Sequence, residues 1–519
     1  AFVLPSMAET VTNPATNEEL LEALLDPTKR VMITIPTLQY EINLNGKKMT
    51  LPVTSELAGG KLNANSHSVK FTGASLFEGN KIEAKDARST GGAVYMQKGM
   101  TFENVDFKNN EVKNTNNIAD GGAIFNALGT LTITGHANFI GNKVDGYKEA
   151  HGGALYNSGG TVRLNTVNFE NNYAKADTLY AIGAGLYSVG VNSDVIISGH
   201  SIFKNNIVEG NIMASSAGIY NIQGKMVLSS ADFVENAAVS NKNIQGGVIN
   251  TQTDLTFTGF SSFKRNTATG NGNVLGIAIS NSGNLSLKNA EFIENKSIQK
   301  SNTGGILYTT KQLTANHLLF KDNLVSSNDE YAQSAGLFVN GGEATIKSAD
   351  FIGNKVYSAT NIENYWANGG ALLTSNGITT FTATVSLNNN MAEALGLGGG
   401  KGGGISISEN AILNFDGLVS VISNKAISKK GNAWGGGLFN QGILNFNSDF
   451  LFASNQSKSG KDIYYEGRNN TASININGNI GAVGTIEGGI AGAPRTGTEF
   501  IPQINKSGAG LLVLGDQSE

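Results

Sequence analysis

The fold of this chain is decided by the stretch Gly121-Gly122-Ala123-Ile124-Phe125, which is followed by Phe139-Ile140-Gly141-Asn142. The first part is a glycine box, Gly-Gly-Ala followed by an aliphatic residue. The second part is a Phe-x-x-Asn motif. The pair recurs along most of the chain, with 28 to 36 residues between successive Phe-x-x-Asn motifs. A repeat of about thirty residues indicates a solenoid or a propeller.

The two motifs alternate in register over most of the sequence. Phe-x-x-Asn begins at Phe77, Phe107, Phe139, Phe169, Phe203, Phe233, Phe263, Phe292, Phe320, Phe351 and Phe452. Leu387 and Val421 replace the Phe in two further copies and keep an apolar side chain there. The glycine box opens at Gly91, Gly121, Gly152, Gly183, Ser216, Gly246, Gly276, Gly304, Ser334, Gly369, Gly402, Gly435 and Gly460.

The segments between the motifs distinguish the two architectures. Each glycine box is followed by a short β-branched or alternating run, such as 130–134, then a turn and further runs, the last of which carries the Phe. Three short strands per repeat do not fill a four-stranded propeller blade of about 40 residues. They fit one coil of a right-handed parallel β-helix, the pectin-lyase-like type of solenoid. The sequence therefore predicts an all-β protein of about thirteen regular coils with irregular ends.

Stacked coils place like residues in ladders about 4.8 Å apart. We expect the Phe residues to form an interior aromatic stack and the glycines to supply corners with positive φ. We expect the Asn residues to take the left-handed conformation and to satisfy backbone groups at a corner. The segment after each Asn is predicted to be the loop side. The structural ladder comprises Phe107, Phe139, Phe169, Phe203, Phe233, Phe263, Phe292, Phe320, Phe351, Asn110, Asn142, Asn172, Asn206 and Asn236.

Three segments are predicted. Residues 1–70 hold a capping helix and the first irregular coils, because Thr16 and Glu19 form a capping box before an apolar run. Residues 71–463 are the repeat β-helix. Residues 464–519 are Gly-rich coils that are truncated before a barrel. Residues 1–8 resemble the end of a signal peptide, with an ordinary mature N-terminus as the alternative.

Composition excludes several classes of protein. The net charge of −4 and the absence of a basic stripe argue against a nucleic-acid partner. The chain has no cysteine, which excludes disulfides and thiolate metal sites. It has no run of 18 apolar residues, so no helical membrane span is predicted.

The interleaved motifs resemble the passenger domains of the chlamydial polymorphic outer-membrane proteins and related autotransporters. The segment Lys506-Ser507-Gly508-Ala509-Gly510-Leu511-Leu512 is similar to a repeat that precedes the translocator barrel in autotransporters. This resemblance implies a secreted β-helix, carried to the cell surface by a C-terminal barrel in the parent protein. It also implies a role in adhesion. The family commonly carries cysteines, and this chain differs from it in that respect.

Catalytic chemistry receives little support from the sequence. Asp106, Asp232, Glu291 and Asp350 precede the repeat Phe but are too sparse for a metal site, and a solvated face explains them. His136, His200 and His317 fall three residues before a repeat Phe and lie in distant coils, where we expect surface or capping roles. The serine-rich corners show no His–Asp partner. We predict no catalytic residue, cofactor or metal.

The longest insertion, 356–368, holds Tyr357, Tyr365 and Trp366. These aromatics are candidate contact residues, with the alternative that they fold back over a corner. The sequence thus predicts a non-enzymatic passenger or adhesin on a Gram-negative cell surface, attached or released. Its partner would be a protein or glycan receptor. The alternatives are a carbohydrate-active β-helix enzyme and a structural surface-layer or filament subunit that self-associates.

Overall fold

A computed structural model describes residues 8–34, 39–51, 53–65, 68–300, 303–360, 365–467, 472–494 and 503–515. The chain divides into two compact units, Ala1–Gly259 and Phe260–Glu519. Each unit is a parallel β-helix, so the predicted fold class is confirmed. The division falls inside the repeat region, within the strand Leu255–Lys264. Residues 1–7 of the predicted signal-peptide end lie outside the described residues.

Each regular coil supplies strands of four kinds, which we number from the glycine box. In unit 1 the first strands are Glu9–Thr12, Lys29–Ile33, Leu62–Ala64, Val94–Met96, Ile124–Asn126, Leu155–Ser158, Leu186–Val189, Ile219–Ile222 and Ile249–Thr251. The second strands are Tyr40–Asn43, Lys48–Met49, Val69–Glu78, Met100–Lys108, Thr130–Ile140, Thr161–Glu170, Val195–Lys204 and Met226–Val234. The third strands are Lys81–Ala84, Glu111–Asn114, Lys143–Gly146, Tyr173–Ala176, Ile207–Gly210 and Ala237–Ser240. The fourth strands are Ser89–Thr90, Ala119–Asp120, Glu149–His151, Tyr180–Ile182, Met213–Ser215 and Asn243–Gln245.

Unit 2 repeats this plan. Its first strands are Ile279–Asn281, Leu307–Thr309, Leu337–Asn340, Leu372–Ser375, Ile405–Ile407, Leu438–Asn440, Ile463–Gly467 and Ile490–Pro494. The second strands, some divided in two, are Leu285–Ile293, Gln312–Lys321, Glu343–Ile352, Ile378–Phe381, Val385–Asn388, Ile412–Phe415, Val419–Ile422, Ile443–Phe446, Phe450–Ala453, Ser473–Ile476, Val483–Ile486, Gln503–Lys506 and Leu511–Leu514. The third strands are Thr267–Gly270, Lys296–Gln299, Leu324–Ser327, Lys355–Ser358, Met391–Ala394 and Lys425–Ser428. The fourth strands are Val274–Leu275, Thr303–Gly304, Ala332–Gln333, Ala367–Asn368, Gly400–Lys401 and Ala433–Trp434.

Each regular coil has four kinds of strand, whereas the sequence predicted three strands and a loop side; the prediction was wrong on this point. In the repeats from Phe77 to Phe351, the run that carries the Phe and the run before it form one long second strand, as in Thr130–Ile140, where the pairing shifts register between Ile133 and His136. In the repeats of Leu387, Val421 and Phe452 the two runs remain separate strands. The segment after the Asn is not a loop, because it contributes the third and fourth strands. These strands are two to four residues long. A run that short shows too little alternation to be recognised in the sequence, although Val144 and Gly146 point inward as a strand requires.

The repeat phenylalanines form the predicted interior stack. In unit 1 the ring centroids of Phe107, Phe139, Phe169 and Phe203 follow one another at 4.8 to 5.2 Å, and the rings are fully buried. In unit 2 the stack runs from Phe263 to Phe351 at 4.7 to 5.0 Å. Offset stacking adds to the apolar burial of each ring.

Where the repeat Phe is lost, a smaller apolar residue takes its place in the interior. Leu387 and Val421 occupy the Phe position and are fully buried, as predicted. In the same coils Phe381 and Phe415 stack at 5.6 Å, in the row that holds smaller residues such as Ala315 in an earlier coil. The same row also carries Phe102 and Phe446 in coils that keep the repeat Phe, so an aromatic ring in that row does not depend on the loss of the repeat Phe.

The repeat asparagines form a buried ladder. Asn142 Nδ2 donates to Oδ1 of Asn172 at 3.0 Å and to the carbonyl oxygen of Phe107 at 2.9 Å. Its own Oδ1 accepts from the main-chain N–H and Nδ2 of Asn110. All four hydrogen-bonding positions of this amide are therefore used, which a carboxylate or an aliphatic side chain cannot reproduce.

The expectation of a left-handed Asn was wrong by one position. The left-handed residue is the one before the repeat Asn, for example Asn109, Asn171 or Glu235, with φ between 55° and 57°. The repeat Asn itself turns its amide into the interior, where it satisfies the backbone as predicted. The glycine corners are confirmed, and even Ser216 takes φ of 63° at the first box position. At the box predicted to open at Gly304, the positive φ belongs to Gly305.

A helix closes the start of unit 1, as the capping box predicted. The helix is Asn17–Leu25, and Thr16 Oγ1 accepts from the N–H of Glu19 at 3.1 Å. Beneath it lies Lys61, a fully buried lysine whose Nζ donates to the carbonyl oxygens of Ala23, Asp26 and Lys29. This ammonium binds carbonyl groups at the helix C-terminus, where a positive charge is favourable. This helix, the one helix of the described residues, is too short to cross a membrane.

Candidate binding surface

A row of aromatic side chains follows the outer face of the first strands in unit 1. On the strands that carry the row, the first residue points into the core and the second lies on the opposite face of the sheet, as Leu155 and Tyr156 do. Neighbouring side chains cover that face, so Tyr156 is only 5% exposed. The outward residues of successive coils stack with ring centroids 4.6 to 5.6 Å apart. These residues are Tyr95, Phe125, Tyr156, Tyr187 and Tyr220.

The fourth strands flank this row, because the chain turns at the glycine box between the fourth and first strands. The residue before each box faces the same side as the aromatic row. In unit 1 Asp120 and His151 hold this position, and the His151 ring stacks on Tyr187 with centroids 5.1 Å apart. We call this region, defined by Arg88, Asp120 and His151 with the aromatic row, the unit 1 corner.

A charged network occupies the unit 1 corner. The Asp120 carboxylate is fully buried and accepts from Arg88 Nε and, at 2.8 Å, binds His151 Nδ1. A terminal nitrogen of Arg88 lies 3.3 Å from the hydroxyl of Tyr156, and the guanidinium carbon lies 5.7 Å from the centre of that ring. Buried charges require such partners.

The pKa values of Arg88 and of the tyrosines in this corner are changed by burial and by the ion pair between Arg88 and Asp120. Burial acts to lower the pKa of Arg88, but the neighbouring Asp120 carboxylate outweighs it and raises that pKa. Burial raises the pKa of Tyr156 and of Tyr220 to about 12. The tyrosines therefore remain neutral hydrogen-bonding groups at physiological pH, and the guanidinium remains charged.

The corresponding corner of unit 2 holds a lysine among aromatic rings. Lys401 Nζ lies 4.0 Å from the ring centre of Trp366, 5.5 Å from that of Trp434 and 4.8 Å from that of Phe439. Lys401 and Trp434 each precede a glycine box, as Asp120 and His151 do in unit 1. We call this region, defined by Lys401, Trp366, Trp434 and Phe439, the unit 2 corner.

The three predicted contact aromatics are half-buried, and each contacts different neighbours. Trp366 belongs to the unit 2 corner, which agrees with the alternative that it folds back. Tyr365 meets Tyr331 edge to face at 4.9 Å. Tyr357 lies on the strand Lys355–Ser358 under the ammonium of Lys355, 5.2 Å from the ring centre. Residues 361–364 of the insertion lie outside the described residues.

The structure places two of the predicted histidines against a serine and a carboxylate, on the second strands and outside the serine-rich corners. His200 Nδ1 lies 2.9 Å from Ser230 Oγ, and its Nε2 lies 3.0 Å from Asp232. In unit 2 His317 makes the same two contacts with Ser348 and Asp350, at 2.9 and 3.7 Å. The partners stand one coil further on, so sequence distance hid them.

The other histidine and the other acidic residues considered in the sequence do not form a common site. His136 faces Thr166, and the position of the carboxylate is occupied by Asn168. Asp106 and Glu291 each form a salt bridge with a neighbouring lysine on a partly exposed face. Over the ranges that the structure describes, no three His, Asp or Glu side chains converge to hold a metal ion.

Sequence reasoning missed the unit 1 corner, although a signal for it exists. Asp120 and His151 occupy the position directly before a glycine box in successive repeats, and the aromatics occupy the position directly after the box aliphatic. Aligning the repeats on the glycine box would have placed Asp120 and His151 in adjacent coils.

Comparisons with known proteins found no matching family model, no matching curated protein and no matching solved structure. The function must therefore be argued from the residues and their geometry.

Proposed function

We propose that this chain is the passenger domain of a Gram-negative autotransporter and acts as a non-enzymatic adhesin at the cell surface. The observation that carries the proposal is the set of partly exposed aromatic side chains at the two corners, Tyr95 at the start of the row in unit 1 and Trp366 and Trp434 in unit 2. Aromatic residues bury a large area at little entropic cost, and they are enriched where proteins bind partners.

The rigid interior of the β-helix also supports the adhesin function. Aromatic and amide ladders fix the interior, and the outward positions are free to vary without changing the core. The alternation of glycine boxes with Phe-x-x-Asn motifs supports the autotransporter class. A surface protein that binds through an extended face needs a rigid scaffold of this kind rather than an enclosed active site.

The test is binding of the purified, labelled chain to host cells, measured by flow cytometry. Tyr365→Ala together with Trp366→Ala should reduce binding and leave the thermal unfolding midpoint within a few degrees of the native value. Tyr147→Ala, an exposed tyrosine outside both corners, is the matched control. Absence of saturable binding by the native chain would contradict the adhesin function.

The alternative is a hydrolytic carbohydrate-active enzyme, which one observation favours. Both units place a histidine between a serine hydroxyl and a carboxylate, the residue types that activate a serine nucleophile. These side chains are partly exposed on a sheet face. Release of ester groups or reducing sugars from polysaccharides, abolished by Ser230→Ala together with Ser348→Ala, would establish this alternative.

A further inference from the structure

The unit 2 corner is a place where this protein already holds an ammonium group among aromatic rings. Lys401 Nζ lies 4.0 Å from the ring centre of Trp366, 4.8 Å from that of Phe439 and 5.5 Å from that of Trp434. All three distances fall within the range of about 6 Å over which a ring face attracts a cation. The position of Lys401 therefore shows that the three rings together form a site for an ammonium.

The stacked coils hold the indole rings of this site in place. Lys401 pairs in register with Asn368, which follows Trp366 by two residues, and with Trp434 in the next coil. The two indoles thus come from the coils on either side of Lys401, and their ring centroids lie 5.4 Å apart. A Cβ on Gly399 would lie 2.6 Å from a ring atom of Trp434 and 3.1 Å from a ring atom of Trp366. Glycine at this position therefore lets the two indoles approach each other over the lysine.

Solvent reaches the unit 2 corner from the outside of the β-helix. Trp366, Lys401 and Trp434 are each partly exposed, whereas Phe439 is 2% exposed. Phe439 therefore forms the inner wall of the site, and the other three side chains form its mouth. Lysine has a flexible four-carbon stem and a strongly hydrated ammonium, so Lys401 can move out into solvent and leave its place between the rings to another cation.

A ligand cation must gain more at this site than the lysine that it displaces. A second primary ammonium would make the same contacts as Lys401. A quaternary ammonium carries its charge on methyl groups that pack against ring faces, and aromatic sites of this kind recognise such groups. The longer distances to Phe439 and Trp434 leave space for the methyl groups on that side. A phosphate joined to the quaternary ammonium by a short chain would lie at the mouth, where the displaced Lys401 ammonium can bind it.

We propose that the unit 2 corner binds a phosphocholine group. Its quaternary ammonium lies among the rings of Trp366, Trp434 and Phe439, and its phosphate pairs with the displaced ammonium of Lys401. In the free protein Lys401 fills the site, and in the complex it binds the other end of the ligand. This inference rests on the proposed adhesin function, because it names the chemical group that the adhesin recognises on its receptor.

The experiment is a titration of the full chain with phosphocholine and with choline, followed by tryptophan fluorescence and calorimetry. Both tryptophans of the sequence lie in the unit 2 corner, so a change in emission reports binding at this site. We expect saturable binding of phosphocholine, about threefold or more tighter than that of choline, because a phosphate gains a charge-assisted hydrogen bond from Lys401. Dimethylbutanol, which has the shape of choline without its charge, should bind much more weakly than choline.

Replacement of Lys401 is the sharpest test, because this residue competes with the ammonium and assists the phosphate. Lys401→Ala should tighten choline binding about threefold or more, the change that corresponds to a partly exposed cation–π interaction. The same variant should lose the preference for phosphocholine over choline. Trp434→Ala should weaken the binding of both ligands about tenfold, since a ring of the site is lost. Tyr147→Ala should leave the binding of both unchanged.

The inference is overturned if phosphocholine does not bind at millimolar concentration, or if dimethylbutanol binds as tightly as choline. It is also overturned if a folded Lys401→Ala variant binds choline no better than the native chain does. Co-sedimentation with phosphatidylcholine vesicles, and not with phosphatidylglycerol vesicles, would support the site with a membrane lipid as its source of phosphocholine. Binding of soluble phosphocholine without co-sedimentation would support the site with a source outside a bilayer.

The cell-binding and phosphocholine assays separate the two proposals. Host-cell binding without phosphocholine binding would remove the phosphocholine site and leave the adhesin function. Phosphocholine binding without host-cell binding would leave the site and remove the adhesin function.

Discussion

The corners of the two units share one backbone plan and carry different chemistry. In unit 1 the residues before the glycine boxes are Asp120 and His151, which join Arg88 in a charged network. In unit 2 the equivalent residues are Lys401 and Trp434, which form a cation–π group with Trp366. The interior ladders are alike in both units. The comparison teaches that the repeat fixes the place of an outward side chain and leaves its identity open.

The largest expected effect tests the part that the units share. Phe233→Ala and Phe320→Ala, in the stacks of unit 1 and unit 2, should each lower the free energy of unfolding by about 3–5 kcal/mol, because each leaves a cavity in a close-packed stack. Phe452→Ala, nearer the end of the repeat, should cost less because the surroundings relax more easily. Denaturant unfolding monitored by circular dichroism measures all three. A negligible effect of Phe233→Ala would contradict the interior stack.

The next largest effect is the pH dependence of stability that the buried charge of Lys61 contributes in unit 1. Burial lowers the pKa of Lys61 in unit 1 to about 8, with Asp26 opposing the change. Between pH 8 and 10.5 the unfolded chain binds a proton at Lys61 that the folded chain does not. The free energy of unfolding should therefore rise across this window by about 3 kcal/mol relative to Lys61→Met. A native chain that parallels Lys61→Met over this range would contradict the burial of a charged lysine.

In unit 2 the buried residue Asp462 should give the opposite pH dependence of stability. This fully buried carboxyl group ends the asparagine ladder, accepting from Asn455 Nδ2 at 2.8 Å. Burial raises the pKa of Asp462 above its ordinary value. The folded chain then holds a proton that the unfolded chain loses, so the stability contributed by this group falls as pH rises from the unfolded pKa through the folded pKa. Asp462→Ala should remove that decline from the pH profile of the unfolding midpoint.

A smaller effect distinguishes the unit 1 corner. Asp120→Ala removes the acceptor of Arg88 and His151 and should destabilise the chain by about 2 kcal/mol, since hydrogen bonds to charged groups contribute about that much. The partial exposure of Arg88 limits the cost. The two tryptophans of the chain both lie in the unit 2 corner, so their fluorescence should be unchanged by Asp120→Ala. A shifted emission spectrum would show that the change is not local to unit 1.

The smallest effect distinguishes the unit 2 corner. Lys401→Met removes the charge over Trp366 while keeping an apolar chain of similar length. It should lower the free energy of unfolding by about 0.5–1 kcal/mol, the usual size of a partly exposed cation–π interaction. Tryptophan emission should change in this variant, in contrast to Asp120→Ala. An unchanged spectrum would mean that the ammonium does not rest on the indole ring in solution.

The sequence predicted the features that repeat at an apolar or glycine position. The phenylalanine stack and the glycine corners follow from residues whose type is nearly constant, and the capping helix follows from the local pair Thr16 and Glu19. The role of the repeat Asn was only half predicted, because a buried amide ladder depends on contacts between coils that are thirty residues apart. The corners were not predicted, since Asp120, His151 and Lys401 share a position without sharing a residue type.

The amide ladder has a direction. In each unit the bonds between asparagine side chains run one way, since each Nδ2 donates to Oδ1 of the asparagine in the next coil, and at the end of the row in unit 2 Asn455 donates to Asp462. Every link in the row is chemically the same, so a coil that brings its own asparagine can be added or removed while the links on either side are made again. Such a gene can therefore gain or lose whole repeats by in-frame recombination, and each event alters the number of outward positions while leaving the interior bonding unchanged.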